Sequence, residues 1–172
     1  MEINTAEYRT FLIKCLDMSR ESHAYILERV PVLLIDIAKT YLWVASVESG
    51  IAMFLIKDGC LSPYSTACLG VSLSLATIVF ILSLYILWGR GFVSSPATEP
   101  MNLYQFAWDQ FTTNPKAETE AYAGLIASLS DANRDNSAKN TTRAQILRIS
   151  APLLFLSFGL LVVTVILRLC HA

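Results

Sequence analysis

Residues 67–88 read ACLGVSLSLATIVFILSLYILW, and residues 149–167 read ISAPLLFLSFGLLVVTVIL. These stretches of 22 and 19 residues contain no charged side chain. About 20 such residues in an α-helix cross the roughly 30 Å hydrocarbon core of a bilayer. A third stretch, residues 41–56, is interrupted by only one charged residue, Glu48. The sequence therefore predicts an all-α integral membrane protein with three transmembrane helices.

The composition supports a membrane location and argues against a nucleic-acid partner. Of the 172 residues, 54% are hydrophobic and 16% are charged, whereas soluble domains carry about 25% charged residues. The net charge of −1 does not suggest a nucleic-acid partner. Nine charged residues fall within residues 1–29, so we expect no cleaved signal peptide there.

The pattern of apolar and polar residues divides the chain into four segments. Pro31 is expected to begin the first spanning helix, and residues 61–65 are expected to form a turn. A helical pattern that begins near Pro115 either continues into the third span or breaks within residues 130–140. The predicted segments are an N-terminal amphipathic helix (1–30), a transmembrane helical hairpin (31–88), a cytoplasmic helical region (89–148) and the third transmembrane helix (149–172).

The basic residues predict the topology. Eleven of the 13 Lys and Arg residues lie before residue 40 or within residues 89–148, and only Lys57 and Arg168 lie elsewhere. Because basic residues favour the cytoplasmic side, we expect the N-terminus and residues 89–148 to be cytoplasmic and the C-terminus to be outside.

Glu48 is the strongest functional candidate, because a carboxylate within a membrane span costs a few kcal/mol or more unless it is paired, hydrated or neutral. Three interpretations remain open. Glu48 belongs to a polar ring around a central axis between subunits, or it hydrogen-bonds a serine and fixes helix packing, or the helix sits lower and places it near an interface. The serines considered as its partners are Ser46, Ser72 and Ser74, of which Ser72 and Ser74 are also pore or interface candidates.

Three further groups carry weaker signals. Asp36 and Lys39 are three residues apart on one helix face, where they form either a structural pair or part of a gate. An asparagine stripe either sets register between subunits or is solvated and frayed. An aromatic face packs on a neighbouring helix, contacts a partner or forms a ligand site. The stripe is Asn133, Asn136 and Asn140, and the aromatic face is Tyr104, Trp108 and Phe111.

Sequence motifs for catalysis are absent. The chain has no Gly-rich phosphate loop, HExxH or GxSxG, and no cysteine or histidine cluster with metal-ligand spacing. We therefore expect no enzymatic activity, catalytic residue, metal or cofactor. His23 is expected on a helix surface, Cys15 is expected to be reduced, and a disulfide between Cys60 and Cys68 is left open.

The residues leading into the first and third spans resemble those of small multi-span bacterial antiphage membrane effectors, such as the transmembrane effectors of Pycsar and CBASS systems. The resemblance rests on residues 35–42 (IDIAKTYL), residues 136–140 (NSAKN) and residues 144–159. It implies a multi-pass protein of the bacterial inner membrane. The sequence has no recognisable nucleotide-sensing domain of the kind those effectors carry, so the resemblance implies that a separate cytoplasmic protein senses the signal.

Together these features predict a homo-oligomeric inner-membrane protein that perturbs or permeabilises the membrane on a cytoplasmic signal. Its expected partners are further copies of itself, the lipid bilayer and a cytoplasmic protein. The alternatives are a non-conducting anchor that recruits a soluble partner through residues 92–140, a holin-like protein, or an accessory subunit of a transporter.

Overall fold

The computed structural model describes residues 5–57, 62–88 and 118–171, and all of these except Ser62 and Trp88 are helical. Three helical stretches are long and apolar enough to cross a membrane, namely Tyr8–Lys57, Pro63–Leu87 and Thr119–Leu169. The prediction of an all-α membrane protein with three spans is thus confirmed.

The first helical stretch is continuous. Helix α1 covers Thr5–Ala24, a π-helical turn covers Tyr25–Arg29, and α2 covers Val30–Lys57. Helix α2 begins one residue before the start predicted at Pro31, but no break precedes it, so Pro31 lies within a continuous helical stretch and does not open a separate helix. Proline has no N–H, and its ring crowds the carbonyl four residues earlier. The π turn widens the helix just before the proline, with the Val30 N–H donating to the Tyr25 carbonyl five residues back, and so relieves that crowding.

Helix α3 covers Pro63–Leu87 and begins four residues before the apolar run. The predicted turn over residues 61–65 is therefore wrong from Pro63 onward. Ser62 has an extended backbone, and its Oγ accepts the Ser65 N–H at 3.2 Å. Proline fits the first helical position because no intrahelical bond is lost there. The Ser62 cap and Pro63 together extend the helix to 25 residues, about 38 Å.

Helix α4 covers Glu118–His171. Of the two alternatives for residues 130–140, the structure has the continuous helix, and Pro152 lies inside it. Buried positions recur every seven residues along α4. Seven residues are nearly two helical turns, so these positions share one face. They are Leu129, Asn136, Arg143, Ser150, Ser157 and Thr164.

The described chain forms two compact units, and the division falls after Pro31 and after Thr141. We call residues 5–31 and 118–141 the first unit. In its core, Leu16 of α1 packs against Leu125 and Leu129 of α4, with Tyr122 and Ile126 at the edge.

We call residues 32–57, 62–88 and 142–171 the membrane unit. Three apolar clusters form its core, and each cluster is built from more than one helix. Their order shows that α2 and α4 run in the same direction and α3 in the opposite one. Along α2 the clusters are Ala38 with Ile86 and Leu147, then Ala45 with Ala76 and Val79, then Ala52 and Leu55 with Leu69 and Leu161.

Large apolar side chains cover the outside of the membrane unit. A soluble protein rarely exposes so many of them, whereas lipid solvates such a surface. Examples from the three helices are Trp43, Met53, Phe54, Ile81 and Phe155.

Candidate functional site

Glu48 lies inside the membrane unit, with 3% of its surface exposed. It follows Ala45 by three residues and precedes Ala52 by four, so all three share one face of α2. Both alanines are buried in the apolar core, one in each neighbouring cluster. The carboxyl group therefore occupies a polar layer between two apolar layers of a single chain.

A serine from each of the other two helices completes this layer, and we call Glu48, Ser72 and Ser157 the polar cluster. Both serines are fully buried. The Ser72 hydroxyl donates to the Ser157 carbonyl at 2.9 Å. Ser157 Oγ lies 2.7 Å from Glu48 Oε2 and 2.9 Å from the Ser72 carbonyl oxygen. The polar cluster thus links α2, α3 and α4.

The second carboxyl oxygen, Glu48 Oε1, is buried and has no hydrogen-bond partner among the described residues. An unpartnered polar atom inside an apolar core costs free energy, and an ionised one costs far more. The polar cluster therefore contains both a hydrogen-bonded link between three helices and one unsatisfied oxygen.

The serines named from the sequence behave differently from one another. Ser46 and Ser74 are exposed, and each donates to a carbonyl of its own helix. Only Ser72 joins the polar cluster, and sequence reasoning missed Ser157, the residue that touches the carboxyl group. A signal for it exists, because Ser150, Ser157 and Thr164 recur at seven-residue spacing in the third apolar run.

Asp36 and Lys39 do form a pair, as expected from their spacing. Lys39 Nζ lies 3.3 Å from Asp36 Oδ1, and both side chains are 62% exposed. An exposed pair contributes at most about 1 kcal/mol. Lys39 is nine residues from Glu48 along α2, about 13 Å, so the pair lies apart from the polar cluster.

The asparagine stripe lies against α1 within the same chain. Asn133 Oδ1 accepts from His23 Nδ1, its Nδ2 contacts the Ser19 carbonyl at 3.5 Å, and Asn140 Nδ2 donates to the Ile26 carbonyl at 3.0 Å. Asn136 has no exposed surface. These side chains therefore belong to the interior of the first unit, on an unbroken helix.

His23 contradicts the expectation of a surface histidine, since only 1% of it is exposed. His23 lies on the side of α1 that faces α4, where Asn133 Oδ1 accepts a hydrogen bond from it. Its Nε2 atom is buried and has no hydrogen-bond partner among the described residues. Sequence spacing alone did not reveal this pairing because the partner lies 110 positions away.

Other predicted features fall partly or wholly outside the described residues. Tyr104, Trp108 and Phe111 lie there, as does Cys60. Cys68 is a free thiol, so no disulfide forms at it, and Cys15 is also free. Within residues 5–57, 62–88 and 118–171, no group of three or more His, Cys, Asp or Glu side chains could hold a metal ion.

Comparison of this chain with protein families, with curated proteins and with solved structures found no match.

Proposed function

We propose that this chain is a homo-oligomeric membrane protein that perturbs or permeabilises the membrane on a cytoplasmic signal, and that the conformation described above is its closed form. The observation that carries the proposal is the burial of Glu48 among Ser72 and Ser157. Ionisable residues within membrane spans mark substrate and ion pathways and proton relays, so such a residue is a functional candidate by default.

The polar cluster suits a protein with closed and open forms. In the closed form its polar atoms bond mainly to one another across three helices. If the helices separate, the same atoms become available to water and line a polar path. A simple membrane anchor needs no such group, because an apolar side chain would fill the site with less desolvation.

The outer surface of the membrane unit supports self-association. Two pairs of small residues spaced four apart are exposed, Ser46 with Gly50 on α2 and Gly70 with Ser74 on α3. A Cβ atom added at Gly50 or Gly70 would meet nothing within 4 Å. Small residues at this spacing let helices of neighbouring chains approach closely in lipid. Homo-oligomerisation through these faces is part of the proposal.

The distribution of basic residues and the family resemblance support proposals for the topology, the cellular membrane and the biological role. With eleven of 13 Lys and Arg residues before residue 40 or within residues 89–148, we propose a cytoplasmic N-terminus. We propose the bacterial inner membrane as the location, antiphage defence as the role, and a separate cytoplasmic protein as the source of the signal.

A variant that loosens the closed form tests the proposal without knowledge of the signal. Ser157→Ala removes the hydroxyl that joins Glu48 to α3 and α4 and should therefore favour the open form. Liposomes that contain the purified variant should leak ions, whereas liposomes that contain the native protein should not. Thr77→Ala is the matched control, because Thr77 is exposed and bonds only to the Leu73 carbonyl of its own helix. It should leave the liposomes as tight as the native protein does.

The role of the carboxyl group is tested in the leaking background. Glu48→Gln combined with Ser157→Ala should change the preference for cations over anions, because it removes the charge available to an open path. If the Ser157→Ala protein has native helicity and elution and yet no leak develops, the chain acts as a non-conducting anchor and the proposal is wrong.

A further inference from the structure

We infer that Glu48 carries a proton in this conformation and donates it to Ser157, so that the polar cluster is an intramembrane proton-binding site. The inference goes beyond the proposed function and does not depend on it, since it holds equally for a permeabilising protein and for an anchor. It rests on counting the protons that the contacts of the polar cluster require.

Three short oxygen–oxygen contacts connect the polar cluster. They are Ser72 Oγ to the Ser157 carbonyl at 2.9 Å, Ser157 Oγ to the Ser72 carbonyl at 2.9 Å, and Ser157 Oγ to Glu48 Oε2 at 2.7 Å. These are hydrogen-bond distances for O–H···O pairs. One O–H can be shared between two acceptors, but a shared proton gives longer and weaker contacts, whereas all three distances here suit simple hydrogen bonds, so each contact is assigned its own proton.

The two serines supply only two protons, because each hydroxyl has one O–H. Backbone carbonyls supply none. If the Ser72 proton points to the Ser157 carbonyl and the Ser157 proton to the Ser72 carbonyl, the contact with Glu48 Oε2 still lacks one. The remaining contact between the two hydroxyls is longer, 3.3 Å, and supplies no further proton. The missing proton therefore belongs to the Glu48 carboxyl group.

With that proton every short contact is a hydrogen bond. Glu48 donates to Ser157 Oγ, Ser157 donates to the Ser72 carbonyl, and Ser72 donates to the Ser157 carbonyl. The orphaned Oε1 then becomes the carbonyl oxygen of a neutral acid rather than half of a buried negative charge. This also fits its lack of a partner among the described residues.

On the described parts of the three helices, no charged residue lies close enough to the polar cluster to compensate an ionised carboxyl group. On α2 the nearest charged residues are Lys39 and Lys57, each nine positions from Glu48, and on α4 they are Arg148 and Arg168, nine and eleven positions from Ser157. Nine helical residues span about 13 Å. Helix α3 contains no charged residue or histidine, and its nearest titratable side chain to Ser72 is the free thiol of Cys68.

Infrared spectroscopy of the purified protein at neutral pH detects such a proton directly. A protonated carboxylic acid has a C=O stretching band that is separate from the carboxylate bands. We expect this band in the native protein and its loss in Glu48→Gln, whose amide can still donate to Ser157. Glu21→Gln, at an exposed position of α1, is the matched control and should keep the band.

Labelling the glutamate carboxyl carbons with ¹³C tests the native protein without any substitution, so a misfolded variant cannot obscure the result. The band should move to lower wavenumber on labelling, and Ser157→Ala should shift it again by removing the acceptor. A spectrum without a label-sensitive acid band overturns the inference. So does a band that persists unchanged in folded Glu48→Gln protein.

Discussion

Glu48, Ser72 and Ser157 each occupy a helix position whose buried neighbours one turn away are alanine or leucine. Apolar packing alone leaves helices some freedom to rotate about their axes, because one methyl-bearing surface resembles another. A directional contact such as the 2.7 Å link between Ser157 Oγ and Glu48 Oε2 tolerates much less rotation. The polar cluster therefore contributes specificity of packing as well as stability, a role known for single buried polar residues in coiled coils.

At this scale we predict that Ser157→Ala destabilises the membrane unit by about 1–3 kcal/mol, the range for leaving a buried polar group without its partner. Glu48 Oε2 and the Ser72 carbonyl lose their partner, whereas the Ser72 hydroxyl keeps its bond to the backbone carbonyl of residue 157. Thermal denaturation in detergent measures the change. Ser74→Ala, which removes only an exposed bond to the Gly70 carbonyl, should stay within about 0.5 kcal/mol of the native protein. Equal stabilities for the two variants would contradict the assigned role of Ser157.

We predict that His23→Ala loosens the contact between α1 and α4 in the first unit. The change opens a cavity at a site with 1% exposure and leaves Asn133 Oδ1 without its donor. A cavity combined with an unpartnered polar atom typically lowers the free energy of unfolding by about 2–3 kcal/mol. Hydrogen exchange of the α1 amides should accelerate accordingly. Glu21→Ala, at an exposed position two residues earlier, should leave the exchange rates nearly unchanged.

The sequence predicts which single residue is unusual but not what it touches. Glu48 stands out because charge is rare in an apolar run, and that signal is local. Its partner, Ser157, lies 109 positions away on another helix, and serines are common in all three runs. The choice of Ser157 over Ser46 and Ser74 depends on helix rotation, which local composition does not encode.

The helix ends in this chain depend on capping residues and prolines, which the hydrophobic pattern does not reveal. The apolar run alone suggests a helix from residue 67, whereas the Ser62 cap and Pro63 begin α3 at residue 63. Pro31 suggests a helix start, but the π turn before it keeps the backbone helical. In both places a proline was assigned the wrong local role, while the spans themselves follow from hydrophobicity and length.

We predict that Ser62→Ala destabilises α3 by about 1 kcal/mol, because the Ser65 N–H loses its acceptor at the start of the helix. Ser62→Asp should restore most of that stability, since aspartate is an equally good cap. Helicity and thermal denaturation of the detergent-solubilised variants provide the comparison. If the aspartate variant is no better than the alanine variant, the hydroxyl does not act as a cap.

For the whole molecule, three spans place the two ends of the chain on opposite sides of the membrane. We predict that a reporter fused after residue 172 is located outside the cytoplasm and one fused before residue 1 inside it, from the bias of the basic residues. Paired fusions to alkaline phosphatase and green fluorescent protein distinguish the sides. A fluorescent C-terminal fusion would refute this orientation.

For the proposed homo-oligomer, we predict that Gly70→Leu weakens self-association without unfolding the monomer. The glycine has open space around an added Cβ, so the larger side chain fits a single chain but separates α3 from a neighbouring copy. Light scattering in mild detergent should report a lower mass than for the native protein. Ile81→Leu, an exposed apolar exchange on the same helix, should keep the native mass.

The buried residues that recur every seven positions along α4 all lie on one side of the helix axis. A change of one in the number of residues between them therefore rotates some of them away from that side. One residue inserted between Ser150 and Ser157 turns everything after it by about 100°. Ser157, Leu161 and Thr164 would then leave the interior together, and side chains that now face outward would replace them, as Val163 would at the buried position of Thr164. The third span therefore tolerates substitutions far better than single-residue insertions, because a substitution leaves the angular positions of the other side chains around the helix axis unchanged.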